Sequence, residues 1–427
     1  MSGESPSAYV VRRSAASCSP WKGRAPLLGH LDVELTERCN NDCIHCYVNR
    51  AENDEAARQR ELTTAELLAV FGEAASLGAL TVAMTGGEPL LREDFEELYL
   101  GARRLGMGVR LQTNARCVTP GLAGLLARVP PRARVEVSVY GMTSESYEAV
   151  SRAPGSYAQF RRGVELLAEH RVPLAVKGVF LGQNRQEKQV FETWARTLPG
   201  MDEGPRYGQS LDLRARRDHP AKDRMIRGLR LSAAQSVGQL HAREEGRRET
   251  CAVCRRFMGA RGDRLFSCEA GRRVCLDAYG MLQPCLLVRH PETVYNLKKG
   301  SLAHALREFF PRLRLARSGN PAYLARCARC FLYGLCDQCP GKSWTEHGTL
   351  DTPVEHLCEV AHARARGVGL LGAEERAWQV PDGADRVRRM GLDPEPRQAT
   401  LRPAAEMEAH ATGSVPQPSR NRIGDHA

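Results

Sequence analysis

The chain has 427 residues, of which 42% are apolar and 6% aromatic, and its 61 Lys plus Arg against 50 Asp plus Glu give a formal charge of +11. This length exceeds the roughly 250 to 300 residues at which one core stops growing, so we expect two domains with connections. The apolar fraction excludes disorder throughout. No apolar run approaches the roughly 18 residues of a membrane-spanning helix. The N-terminus also lacks the apolar core of a signal peptide, so we expect a cytoplasmic protein that does not contact a membrane.

From residue 30 to about 215, short apolar runs alternate with amphipathic stretches. The first helix has Thr63 and Glu66 at capping-box spacing, and Gly78 can end it in a left-handed turn. The predicted strands are 31–35, 80–84, 109–112, 135–139, 174–180 and 211–213, and further helices are predicted over 94–105, 156–169 and 185–197.

Six strand–helix repeats predict an α/β fold with parallel strands and covering helices. Polar turns follow nearly every strand, which favours closure or part-closure into a (β/α)6 TIM barrel over an open sheet. In such barrels the chemistry gathers at the C-terminal ends of the strands. The turns at those ends should therefore carry the functional residues.

The positive charge is concentrated in the connection after the barrel. Residues 206–273 contain 17 Lys or Arg and 8 Asp or Glu. No helix-turn-helix, zinc finger or aromatic ribonucleoprotein motif lies nearby, so we expect no nucleic-acid partner. A solvated basic face and a binding surface for an acidic peptide or partner are both open interpretations.

Fifteen cysteines in a reducing compartment favour metal or cluster ligation over a disulfide framework. They fall into three groups, which leaves Cys18 and Cys117 alone as ordinary small thiols. Cys39, Cys43 and Cys46 follow the first strand with the spacing C-x3-C-x2-C. Three thiolates on one loop suit three corners of a four-iron four-sulfur cluster with one iron left open. A tetrahedral zinc site that adds His45 is the alternative.

The motif CNNDCIHC resembles the cysteine loop of the radical S-adenosylmethionine (SAM) superfamily. The resemblance extends to GGEP at the end of the second predicted strand, to QTNA at the third and to SVYG at the fourth, where Tyr140 replaces the usual Asp. It implies reductive cleavage of SAM to a 5'-deoxyadenosyl radical by a cluster on Cys39, Cys43 and Cys46. The residues that would bind SAM by resemblance are Gly86, Gly87, Glu88, Pro89, Thr113, Asn114, Ser138 and Arg152.

The later cysteines resemble the SPASM domain, which carries auxiliary clusters in many radical SAM enzymes that modify peptides. Eight thiols can ligate two four-iron clusters. The resemblance assigns Cys268, Cys275, Cys285 and Cys339 to the first auxiliary cluster and Cys327, Cys330, Cys336 and Cys358 to the second. Two residues separate Cys336 from Cys339 where the family usually has three. Cys251 and Cys254 form an extra CxxC, which is compatible with redox thiols, replacement ligands or spectators.

The predicted organisation is an N-terminal extension (1–28), a radical SAM partial barrel (29–215), a basic connector (216–266), a SPASM domain (267–366) and a largely disordered tail (367–427). The resemblance implies oxidation or cross-linking of a ribosomally made peptide, with flavodoxin or ferredoxin as reductant. Fewer than 40 residues precede Cys39, so we expect a separate leader-recognition protein or the basic connector to bind the leader. The alternatives are a radical SAM enzyme acting on a tetrapyrrole or sugar and, more remotely, a zinc-binding scaffold.

Overall fold

The computed structural model describes residues 28–201, 204–208, 211–235, 237, 262–266 and 273–389. Cys18, Cys251, Cys254 and Cys268 lie outside these residues, as do residues 1–27 of the predicted N-terminal extension. No helix in the described ranges is long and apolar enough to cross a bilayer.

Strands and helices alternate through the first half of the chain. The strands are β1 (His30–Thr36), β2 (Arg38–Cys39), β3 (Arg50–Ala51), β4 (Thr81–Gly86), β5 (Gly108–Thr113), β6 (Val135–Val139), β7 (Leu174–Val179), β8 (Arg206–Gly208), β9 (Arg273–Leu276), β10 (Met281–Gln283) and β11 (Tyr295–Asn296). The helices are α1 (Glu55–Arg58), α2 (Thr64–Ser76), α3 (Phe95–Arg104), α4 (Pro120–Arg128), α5 (Ser144–Ser151), α6 (Ser156–Glu169), α7 (Lys188–Ala195), α8 (Pro220–Leu229), α9 (Leu302–His304), α10 (Phe310–Leu313), α11 (Pro321–Ala325), α12 (Pro340–His347), α13 (Glu355–Gly367) and α14 (Gly383–Arg389).

Six parallel strands stand side by side in the order β1, β4, β5, β6, β7, β8. Alternate residues of each strand, such as Leu31 and Val33 of β1, pack in the main core beneath the helices. Asp32 and Glu34 lie on the opposite face, because successive strand side chains alternate. The expected partial (β/α)6 barrel is confirmed.

Local sequence accounts for the helix that follows the cysteine loop. Thr63 and Glu66 form the predicted capping box at the start of α2, with the Thr63 N–H donating to Glu66 Oε2 at 2.8 Å. Gly78 has φ of +106°, the left-handed conformation expected where the helix ends.

The sixth strand differs from the prediction. It is β8 (Arg206–Gly208), which pairs with β7 through Lys177 and Arg206, whereas residues 211–213 form no strand. The prediction followed the apolar alternation of 211–213. Those residues instead continue into a chain segment that returns over the cysteine loop, where the Ala215 N–H donates to the Tyr47 carbonyl at 3.0 Å.

The cysteine-rich second half shares a sheet with the barrel. β9 pairs in parallel with β1, which places Cys275 opposite Asp32, and β10 and β11 add antiparallel strands outside it. The outer edge of β1 is therefore covered. The predicted boundaries at 216 and 267 stay predictions, but the two halves pack as neighbours in one nine-stranded sheet.

The first part of the predicted tail is ordered. Residues 368–389 fold back on α13, and Leu370, Ala377 and Val387 are buried with Phe331. These apolar residues are too sparse to form a core alone, and they are buried against α13 and the chain around Phe331, which the local sequence does not reveal. Residues 390–427 lie outside the described ranges.

Candidate active site

The loop that carries Cys39, Cys43 and Cys46 lies directly after β1, at the C-terminal end of the barrel strands. Two backbone hydrogen bonds attach it to the end of α5, from the Asp42 N–H to the Ser151 carbonyl (2.9 Å) and from Ile44 to Val150 (3.0 Å). Cys43 is buried and the other two cysteines are partly buried. The three thiols therefore occupy one fixed loop.

N–H groups point at two of these sulfurs. The Asn41 backbone N–H donates to Cys39 Sγ at 3.4 Å, and the Asn49 N–H donates to Cys46 Sγ at 3.4 Å. The Asn114 side-chain amide adds a donor to Cys39 at 3.8 Å. Such donors favour the thiolate form, which is the form that binds metal.

Burial opposes ionisation of the same thiols when nothing is bound to them. It raises the pKa of Cys43 to about 12 and the pKa of Cys39 well above its ordinary value, with a further increase from the neighbouring cysteines. Three thiolates here therefore need a positive centre to neutralise them. An iron–sulfur cluster fits this site because its iron supplies the positive charge and its thiolate ligands accept the N–H donors.

Charged side chains from distant parts of the chain hold the loop. Arg116 donates to the Asn40 carbonyl and, at 2.7 Å, to Asn41 Oδ1. Lys222 donates from Nζ to Asp42 Oδ1 (2.6 Å) and to Asn49 Oδ1 (3.1 Å). Sequence reasoning missed both cations. An Arg or Lys far along the chain carries no local signal for such a role.

GGEP lies where β4 meets β1. A Cβ on Gly86 would come within 2.0 Å of the Thr36 carbonyl oxygen, and one on Gly87 within 2.2 Å of the Arg38 oxygen. The Gly87 N–H donates to the Thr36 carbonyl at 2.7 Å. These glycines are needed because the two strand ends touch, and Pro89 then begins a short 3-10 turn.

The Glu88 carboxylate is completely buried and joins the ends of β4 and β5. Its oxygens accept from Thr113 Oγ1 at 2.7 Å, from the Asn114 N–H at 2.7 Å and from the Leu90 N–H at 3.1 Å. Burial raises the pKa of Glu88 to about 7, although these hydrogen bonds lower it. Glu88, Thr113 and Asn114 thus form one unit, and Asn114 extends it to Cys39.

The remaining SAM-site residues take different positions. Ser138 lies on the face of β6 opposite the core valines and pairs with Lys177 of β7. Arg152 caps α5 in the left-handed conformation, and its Nε lies 3.5 Å from Asp42 Oδ2, at the rim of the cysteine loop. Its side chain is 47% exposed. The structure therefore brings Arg152 to the loop but leaves about half of its side chain in solvent.

His45 packs against Tyr140, with 5.5 Å between the ring centroids. Burial lowers the pKa of His45 to about 4, so its ring is neutral, and Nδ1 is buried without a hydrogen-bond partner among the described residues. Within those residues no three His, Cys, Asp or Glu side chains are arranged to hold a single metal ion. The geometry gives no support to the zinc site with His45.

Four cysteines of the second half line one cavity. Its volume is about 490 Å3, part of it open to solvent, and Arg326, His362 and Trp378 contribute to its walls. Burial raises the pKa of Cys330 and Cys336 to about 12. The four cysteines that line the cavity are Cys327, Cys330, Cys336 and Cys358, and Cys339 is not among them.

Cys275, Cys285 and Cys339 lie on the barrel side of the second half. Cys275 is buried in β9 and Cys339 immediately precedes α12. A Cβ on Gly341, at the start of α12, would lie 3.0 Å from the Cβ of Leu287, two residues after Cys285. This packing brings the neighbourhoods of Cys285 and Cys339 together, while Cys268 is outside the described residues.

A buried ion network joins the two halves of the chain. Arg289 donates to both oxygens of Glu34 at 2.7 Å and to Glu37 at 2.6 Å. Arg216 bridges Glu37 (2.8 Å) and Asp277 (2.7 Å). The side chains of Arg289, Glu34 and Glu37 are at most 3% exposed. Arg216, at the start of the basic connector, is therefore paired with carboxylates of both halves.

Two neighbouring arginines also bind groups within the protein. Arg214 is buried and donates to Asp218 and Asn49, and Arg217 donates to the carbonyls of Trp344 and Thr345. These two arginines, together with Arg216, hold the barrel, the cysteine loop and the second half together. A solvated basic face and an acidic partner both stay open interpretations for the exposed cations of this stretch, such as Arg224.

Comparison with known proteins agrees with this geometry. The family model of the radical SAM superfamily matches residues 33–194. Residues 33–194 therefore form a radical SAM domain. Members of this superfamily bind a 4Fe-4S cluster and SAM, and the three thiols with their N–H donors fit such a cluster.

Curated relatives match to different extents. The chain is 28% identical over 333 residues to mycofactocin maturase MftC of Mycolicibacterium smegmatis, an alignment that covers 72% of this chain and 76% of the relative. It is 31% identical over 160 residues to an AdoMet-dependent heme synthase of Methanosarcina barkeri, covering 37% of this chain and 45% of the relative. The chain thus spans less than half of that relative.

Among solved structures, Streptococcus suis SuiB bound to its precursor peptide SuiA superposes with a TM-score of 0.56. The superposition covers 78% of this chain and 76% of that chain at 14% identity. At this identity the match shows a shared fold and no more.

Proposed function

We propose that this protein cleaves SAM reductively and uses the resulting radical to oxidise or cross-link a ribosomally made peptide. Cys39, Cys43 and Cys46 would hold a cluster that, when bound, would supply the electron for splitting SAM into methionine and a 5'-deoxyadenosyl radical, and this radical would take a hydrogen atom from the substrate. The observation that carries the proposal is the direct link from the cysteine loop through Asn114 to the buried Glu88 and Thr113.

The SAM-site residues act as positioning groups. The polar groups of Thr113, Asn114 and Ser138, with the close backbone of Gly86 and Gly87, would receive the methionyl end of SAM. Three donors already occupy much of the Glu88 carboxylate, so it fixes Asn114 beside Cys39 and has limited acceptor capacity left for the SAM ammonium. Arg152, paired with Asp42, would contact the SAM carboxylate, and Pro89 sets the turn that buries Glu88.

Two auxiliary clusters would accept the substrate electron or organise the peptide. The cavity lined by Cys327, Cys330, Cys336 and Cys358 supports the second of them. The packing of Gly341 against Leu287 supports a first one on Cys268, Cys275, Cys285 and Cys339.

A peptide substrate is favoured over a small molecule by the extent of similarity. The match to mycofactocin maturase covers 72% of the chain and so extends into its second half, whereas the heme synthase match covers 37% of the chain. SuiB, which shares the fold, binds a precursor peptide. Because Arg216 and Arg217 of the connector bind groups within this chain, a separate protein would recognise the leader, and flavodoxin or ferredoxin would supply electrons.

Anaerobic reconstitution tests the reaction. About twelve irons per chain and conversion of SAM to 5'-deoxyadenosine with dithionite are expected, since three four-iron clusters are proposed. Cys43→Ala serves as the control that should abolish SAM cleavage. Stoichiometric zinc without SAM cleavage contradicts the proposal.

Mass spectrometry tests the substrate class. Short peptides encoded beside the gene are incubated with the reconstituted enzyme and SAM, and a SAM-dependent mass change in one of them is expected. Conversion of a tetrapyrrole with no change in any peptide would instead establish the small-molecule alternative.

A further inference from the structure

Arg326 occupies an unusual position beside the second cysteine cavity. It directly precedes Cys327 and lines the same cavity as the four thiols. Its Nη2 lies 3.7 Å from Cys358 Sγ, in donor geometry. The guanidinium therefore places a permanent positive charge beside one of the sulfurs.

Two neighbours fix the guanidinium in this place. Glu355 accepts from Nη1 at 2.6 Å and from Nη2 at 2.8 Å, a bidentate pair. Trp378 lies with its ring centroid 4.8 Å from the guanidinium carbon, a separation at which the ring face attracts the cation. Nη2 is thus shared between Glu355 and Cys358, and the group has little freedom to turn away.

Trp378 is itself held by the helix that carries Cys358. His362 packs against its ring edge-on, with 5.2 Å between the centroids. The backbone N–H of Ala377 donates to His362 Nε2 at 3.1 Å, and His362 Nδ1 in turn donates to the Cys358 carbonyl at 2.8 Å. The ordered segment 368–389 therefore supplies the wall that keeps Arg326 over the sulfur.

Arg326 retains a further donor, its Nε–H, that no group of the described residues accepts. Its Nε is buried and has no hydrogen-bond partner among the described residues. An N–H inside a cavity lined by thiols, with no protein acceptor, is available to a sulfur ligand in the cavity. Arg326 therefore presents a positive charge and N–H donors to a cofactor bound by the four cysteines.

We propose that Arg326 sets the reduction potential of the cluster held by Cys327, Cys330, Cys336 and Cys358. The inference rests on the proposed assignment of these four cysteines to one cluster. A fixed positive charge and N–H···S bonds stabilise the more negative, reduced state, so Arg326 raises the potential and makes the cluster a better acceptor of the substrate electron. Arg326 is a positioning residue and contacts no reacting atom.

The test is an EPR-monitored redox titration of the reconstituted full-length enzyme. Arg326→Gln is expected to lower the midpoint potential of this cluster by about 59 mV or more, a tenfold change in the one-electron equilibrium. The titration of the SAM-binding cluster and the iron content should not change. Arg329→Gln is the matched control, because Arg329 is an exposed arginine of the same segment and is not among the cavity-lining residues.

Equal potentials for Arg326→Gln and Arg329→Gln overturn the inference. If Arg326→Gln loses the cluster, Arg326→Lys decides the question, since it keeps the charge but cannot span Glu355 and Cys358. It should shift the potential in the same direction by a smaller amount, and an unchanged potential in this variant also overturns the inference.

A further variant distinguishes an electrostatic effect of Arg326 on the cluster from structural damage to the site. Glu355→Gln removes the negative partner of Arg326 and should raise the midpoint potential, whereas Arg326→Gln should lower it. If the two substitutions only damaged the site, both would shift the potential in the same direction. Failure of the cluster assignment is recognised independently. In that case the wild-type enzyme and Cys336→Ala would contain the same number of irons.

Discussion

The two cysteine sites of this protein are built in different ways. The first places three cysteines on one short loop after β1, closed by backbone hydrogen bonds to α5 and held by Arg116 and Lys222. The second draws four cysteines from residues 327 to 358 around a cavity of about 490 Å3, and the chain beyond α13 completes its wall.

The difference shows how much of each site exists before a cluster is bound. The first loop has its shape from protein hydrogen bonds and presents N–H donors to its sulfurs. The second site has only a small core to support it, in which residues 368–389 pack on α13. Metal binding should therefore contribute more to folding at the second site than at the first.

Loss of a cysteine gives the largest expected effect and separates the two sites by function. Cys43→Ala should reduce SAM cleavage to background, because the site for the electron donor to SAM is lost. Cys336→Ala should retain SAM cleavage but lose peptide modification and about four irons. Chromatographic assay of 5'-deoxyadenosine measures the first, and abolition of cleavage by Cys336→Ala would show that the sites are not independent.

Arg289→Met tests whether the two regions are stabilised together. Glu34 would be left without its buried partner, and Glu37 would lose one of its two arginine partners among the described residues, so the free energy of unfolding should fall by about 3–5 kcal/mol. Denaturant titration of the reconstituted protein measures the change. Arg312→Met, in an exposed i,i+4 pair with Glu308, is the control and should change it by less than about 0.5 kcal/mol. A loss no larger than that of the control would contradict a buried coupling between the regions.

Glu88→Gln tests the buried carboxylate of the first site through its pH dependence. Burial raises the folded-state pKa of Glu88 from its ordinary value of 4.5 to about 7, so the folded protein binds this proton more tightly than the unfolded chain does. The stabilising contribution is complete below pH 4.5 and is lost as pH rises through 7. Between pH 5 and 8 the wild type should lose on the order of 2–3 kcal/mol from this group. The variant should lack that loss, and parallel curves would show that Glu88 does not titrate in this range.

Arg152→Ala gives the smallest expected effect on stability. Arg152 and Asp42 are about half exposed, and such pairs contribute less than about 1 kcal/mol. A raised KM for SAM at unchanged stability is expected if Arg152 contacts the SAM carboxylate. An unchanged KM would leave it as a surface pair at the rim of the cysteine loop.

Local patterns predicted most of the barrel. The alternation in 31–35 and 135–139 and the capping box at Thr63 are visible in a few consecutive residues, and the structure confirms them. The sixth strand was misplaced because the short run 211–213 has the same alternation as a strand. A strand also needs a neighbour to pair with, and in the folded protein β7 pairs with residues 206–208 instead.

The sequence also determined the residue types of both cysteine sites, because ligand spacing on a loop is a local property. It did not determine that Cys275 would lie beside Asp32 in the barrel sheet, that Arg214 would be buried and Arg216 paired with two carboxylates, or that Trp378 would reach Arg326. Those facts depend on contacts between residues distant in the chain. Whether a charge is paired inside the protein or left in solvent is decided by which elements pack together, and only the tertiary structure brings those elements into contact.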